Sequence, residues 1–136
     1  MRLTLYKHHG PTRIHIEAQV TDGGDLQVAG HDIGKAPKEW FDHDDYEYIV
    51  TVRKPNKERL FLALKAMHFS DDASAEARLR EVARQKNIPY DWFKQDKDHL
   101  LLAMIAATFG DDASAVSRFR DFAQEKNIPS EWFSWP

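Results

Sequence analysis

The sequence predicts an α+β fold: an antiparallel sheet of about four strands over residues 2–54, packed against a duplicated helical hairpin with four main helices over residues 55–133. Three observations carry the prediction. Apolar side chains alternate at period two before Pro55, they recur at helical spacing after it, and the helical part is written twice. A chain of 136 residues is the size of one domain, so residues 1–136 are expected to share a single core.

The strands come first. Leu3 and Leu5 alternate with polar residues, and "HGPT" supplies the Gly-Pro punctuation of a turn. In "RIHIEAQV", Ile14, Ile16, Ala18 and Val20 share one face, while Arg13, His15, Glu17 and Gln19 share the other. "TDGGD" is the next turn, leading to a short strand through Leu26 and Val28. "YEYIVTV" places Tyr46, Tyr48, Val50 and Val52 together. Ile49 breaks the alternation, as in a strand covered on both faces.

Helices follow. "NKERLFLALKAMHF" carries Leu60, Ala63, Leu64 and Met67 at the spacing of one helical stripe. "ASAEARLREVARQK" follows Asp71 and Asp72, which suit an N-terminus, and precedes "KNIP". There Asn tolerates the left-handed C′ position, Ile gives the hydrophobic contact beyond it, and Pro forbids continuation. The segment then recurs: residues 60–93 and 100–133 align at an offset of 40 with 19 of 34 positions identical, including "DDASA", "KNIP" and "WF". Copy two is more apolar, since Lys65, Glu76, Leu79 and Val82 become Ile105, Val116, Phe119 and Phe122. It is expected to lie deeper. Two copies are too few to bury their own faces, so the sheet is expected to cover them.

Composition narrows the function classes. The absence of Cys excludes a disulfide framework and thiolate chemistry. No leader-like segment opens the sequence and no 18-residue apolar run occurs, which predicts a cytoplasmic protein without a membrane partner. A net charge of −3, with acids interleaved among the basic residues of the helices, gives no reason to expect nucleic-acid binding. Phosphate loops, nucleophile elbows and dinucleotide fingerprints are missing, so no catalytic residues and no cofactor are assigned. The motifs favour a non-catalytic protein over an enzyme.

Two groups of residues could nevertheless carry function. His8, His15, His31, Asp32 and His43 are residue types that ligate zinc, iron or manganese, and they are the alternative for a metal-dependent or acid/base enzyme, although their spacing matches no metal motif. The acidic loop around Asp42, Asp44 and Asp45 reads as a solvated turn. The second group belongs to the pattern Pro-x-acid-Trp-Phe, written as "APKEWF", "IPYDWF" and "IPSEWF". Pro suits the first position of a helical turn and the acid suits N3, so the pattern predicts a turn whose Trp and Phe lock into the core. The tail "WFSWP" is the exception: if exposed, Trp132, Phe133 and Trp135 become an anchor for a protein partner.

The segment "VAGHDIGKAPKEWFDHDDYEYIVTV" carries Gly30, Asp32, Ile33 and Gly34, followed by Asp45, Tyr46, Glu47 and Tyr48. In these motifs it resembles a family of small uncharacterised bacterial proteins. The resemblance implies a bacterial source and no activity. The expected function is therefore a small regulatory or immunity-like protein that binds another protein; the sequence gives no oligomeric state.

Overall fold

The computed structural model describes all residues except 35, 36, 38, 41–44, 69, 70 and 136. Five strands form one antiparallel sheet in the order of the chain: β1 (Arg2–His8), β2 (Thr12–Val20), β3 (Leu26–Gly34), β4 (Asp45–Val52) and β5 (Glu131–Trp135). A 3-10 turn, Lys54–Asn56, leads into α1 (Lys57–His68), followed by α2 (Asp72–Lys86), the single turn α3 (Tyr90–Phe93), α4 (Lys97–Phe109) and α5 (Ala115–Glu125). No helix among the described residues is long and apolar enough to cross a membrane.

The helices cover one face of the sheet. There Leu3, Ile16, Ala18, Val28, Val50 and Val52 are buried, joined in one cluster with side chains of the helices. α4 packs on β1 and β2, α5 on β3 and β4, while α1, α2 and α3 pack on α4 from outside. The more apolar second copy thus lies against the sheet: Leu101 to Ala106 are all buried, whereas Leu62 of α1 is 54 % exposed. Ile49 is not covered by a helix. Its register partner on β5 is Phe133, on the open face, and this explains the broken alternation better than a second layer of helices.

The two sequence copies end differently, and the difference makes the fifth strand. In both, Asn takes the left-handed conformation, φ 55° at Asn87 and at Asn127, and the following Ile N–H bonds back to Ala83 or Ala123. After Pro89 the chain turns helically, and Phe93 is fully buried. Tyr90 secures that turn, with the Arg80 guanidinium 4.1 Å above its ring. Ser130 stands at the equivalent position in copy two and offers no ring. "EWFSW", rich in aromatic strand formers, extends instead along the free edge of β4, and Arg53 ties Glu131 at 2.6 Å. The expected helical plug is therefore corrected at this copy: Phe133 is 64 % exposed. In "APKEWF", Pro37, Glu39 and Trp40 have helical backbone, Trp40 is 79 % exposed, and Phe41 lies outside the described residues.

"DDASA" diverges as well. Asp71 caps α2 by accepting from Ala73 N–H, whereas Asp112 accepts from Ser114 and α5 begins three residues later, at Ala115. Asp111, at φ 65°, sends its N–H to Leu5 O of β1. Gly110 precedes it where a Cβ would stand 2.4 Å from Ala106 O, so the replacement of Ser70 by Gly110 lets this loop reach the sheet edge.

Candidate functional site on the open sheet face

Register sets the uncovered face out in rows. Lys7, His15, His31, Glu47 and Trp135 form one row across all five strands. Thr4, Glu17, Ala29, Ile49 and Phe133 form the next, and Arg2, Gln19, Gln27, Thr51 and Glu131 a third. The third row is closed by hydrogen bonds: Gln19 Nε2 donates to Gln27 Oε1 at 2.9 Å, and Gln27 Nε2 to Thr51 Oγ1 at 3.4 Å. It forms a polar border. The first row runs from Lys7 and the two imidazoles to an aromatic residue at β5, and the second ends in an aromatic residue there as well.

The charges on this face are arranged around two imidazoles. His31 Nε2 lies 3.6 Å from both Asp45 Oδ2 and Glu47 Oε1, on the β4 side. It is shielded from solvent and makes no hydrogen bond among the described residues. His15 Nε2 lies 3.9 Å from Glu17 Oε2, and Arg2 approaches the same carboxylate at 3.4 Å. At β5 the rings of Phe133 and Trp135 stand 5.0 Å apart beside Ile49. Trp132 points to the helix side, 6.4 Å from the Tyr48 ring and beneath the Arg120 guanidinium at 4.7 Å.

Behind the face, Tyr48 holds the middle of the sheet. Its ring lies over Gly30, its cross-strand partner, and its hydroxyl donates to Asp32 Oδ1 at 2.7 Å. Burial pushes the Tyr48 hydroxyl well above its ordinary range, and the Asp32 carboxylate beside it adds to the effect. Burial also raises Asp32, opposed by the hydrogen bond from Tyr48. The pair fixes β3 to β4 and faces away from the His15 and His31 row. At the opposite end of the sheet, Asp25 accepts from Lys54 N–H and from Arg53, which hold its carboxyl below the usual range. Arg53 so links the β2–β3 turn to β5.

The residues singled out from sequence separate into those brought together and those kept apart. Trp132, Phe133 and Trp135 lie together on the edge strand, with Trp132 on the helix side and the other two on the open face. His15 and His31 are direct cross-strand partners. His8 pairs with Ile14 and stacks on Tyr6 with ring centroids 6.4 Å apart, while Asp32 serves Tyr48 on the far face. His43 lies outside the described residues. Among the described residues, no group of three or more His, Asp or Glu is placed to hold a metal ion. Ile49, Lys7 and Arg13 were not singled out as site residues; the broken alternation at Ile49 and the unbroken polar face of "RIHIEAQV" were the available signals.

Comparison with protein-family models, with curated proteins and with solved structures found no significant match for this chain.

Proposed function

We propose that the chain is a non-catalytic protein of regulatory or immunity-like type, and that another protein docks on the aromatic edge made by β5. The supporting observation is the unlike treatment of the two sheet edges. At β1 the middle of the edge is blocked: Leu5 O accepts from Lys86 Nζ at 2.9 Å and from Asp111 N at 2.9 Å, so a side chain of α2 and the α4–α5 loop lie against it. β5 is the last strand at the other edge, bonded to β4, and it carries Trp132, Phe133 and Trp135 in five residues. A free strand edge accepts an extended segment through main-chain hydrogen bonds, and exposed aromatic residues are the side chains that most often anchor an interface. The occupant is therefore a partner that adds an extended segment to β5 and sets an apolar side chain against Phe133 and Trp135.

Affinity capture from the native host with wild-type protein and with Phe133→Ser/Trp135→Ser tests this. One protein captured in stoichiometric amount by the wild type and lost with the double variant, at unchanged helical circular dichroism, is expected. Identical capture by both proteins overturns the reading, as does a wild-type homodimer that the variant reduces to monomer, since the occupant is then a second copy.

A further inference from the structure

We propose a second site on this face: the pocket between the ends of β1, β2 and β3 binds a phosphate-class oxyanion. The pocket has a volume of about 190 Å³ and is lined by Lys7, His9, Arg13, His15, His31 and Ile33, together with parts of His8 and Ile14. No carboxylate lines it among the described residues, in a chain whose net charge is −3. Lys7, His15 and His31 are successive partners on three neighbouring strands. Adjacent strands lie about 4.8 Å apart, so three nitrogen-bearing side chains stand side by side over a span that a tetrahedral anion can bridge. Arg13, two residues before His15 on β2 and opposite Ile33, supplies the planar fork that pairs with two phosphate oxygens. Ile33 gives an apolar wall for the group that carries the anion.

The carboxylates nearby serve the imidazoles from outside the pocket. Asp45 and Glu47 approach His31 from β4, and Glu17 approaches His15 along β2. A protonated imidazole donates N–H to an anion with charge assistance, and a neutral one does so without it. Anion binding and imidazole protonation are therefore coupled, and affinity rises as pH falls. This site is independent of the β5 edge.

The test is ¹H–¹⁵N NMR titration of the full chain with inorganic phosphate and with sulfate, at ionic strength held constant by chloride. Sulfate keeps its charge between pH 6 and 8, so its pH dependence reports the protein. Saturable shifts at Lys7, Arg13, His15 and His31 are expected, with sulfate bound several-fold more tightly at pH 6 than at pH 8. Arg13→Gln should weaken binding about tenfold, the equivalent of one charge-assisted hydrogen bond, and His15→Gln/His31→Gln should sharply reduce the pH dependence. Shifts that fail to saturate, shifts spread equally over other basic residues, acetate binding as tightly as phosphate, or an unchanged pH dependence in the double variant would each overturn the proposal.

Discussion

Replacing Gly30 by Ala tests how the sheet is held together. A Cβ at this position would stand 2.1 Å from Tyr48 Cε2, 2.3 Å from Cζ and 2.6 Å from the hydroxyl. Gly30 has no positive φ, so the backbone tolerates Ala and the cost arises from the ring. Ordinary contact begins near 3.4 Å, so the ring must move by about 1.3 Å (3.4 minus 2.1), which carries its hydroxyl away from Asp32, 2.7 Å distant. Overpacking costs about 1–3 kcal/mol, and loss of a hydrogen bond to a charged group about 1.5–3 kcal/mol. Gly30→Ala is expected to destabilise by about 3–5 kcal/mol, measured by urea unfolding at unchanged m-value. The decisive assay is the double-mutant cycle with Tyr48→Ala. With the ring gone, Gly30→Ala should cost less than about 1 kcal/mol or even stabilise, because Ala is favoured over Gly within strands. Additive costs, with coupling below about 0.5 kcal/mol, would refute the reasoning.

Three further outcomes are expected. Tyr48 keeps its proton in the folded state above its ordinary range, so the unfolded state ionises first. The stability advantage of wild type over Tyr48→Phe is full below about pH 10 and shrinks by up to about 1.4 kcal/mol per pH unit above it, measured by urea titration at each pH. Leu62 and Leu102 occupy equivalent positions in the two sequence copies, but Leu62 is 54 % exposed and Leu102 fully buried. Leu102→Ala should cost about 2–5 kcal/mol and Leu62→Ala less than about 0.5 kcal/mol, as read from chemical unfolding. Arg53→Ala removes the link from Asp25 to Glu131, so amide exchange across residues 131–135 should accelerate while that of β2 and β3 stays unchanged.

The fold class was legible because periodicity changes once, at Pro55, and because α2 carries boundary signals at both ends, Asp71 and Asp72 before it and "KNIP" after it. Asn87 and Asn127 take the left-handed conformation the "KNIP" reading assigns them. The fifth strand was not legible, because "IPSEWF" matches "IPYDWF" in everything except a Tyr-to-Ser and an Asp-to-Glu exchange. Which conformation wins depends on the ring under Arg80 in one copy and on a vacant strand edge in the other. That edge is a tertiary fact no local pattern contains. For the same reason His15 and His31 read as two histidines among seven until register made them partners. Gly30, Asp32 and Tyr48 stood out only as parts of a motif; their structural role is a ring packed on a glycine and a hydroxyl held by a carboxylate.

Hydrogen exchange of the free chain, compared with the chain bound to its captured protein, bears most directly on the docking claim. Added protection concentrated in residues 131–135 and at the facing residues of β4 is the predicted result. Protection confined to the outer surfaces of α1 and α2, with β5 exchanging as in the free chain, would contradict it.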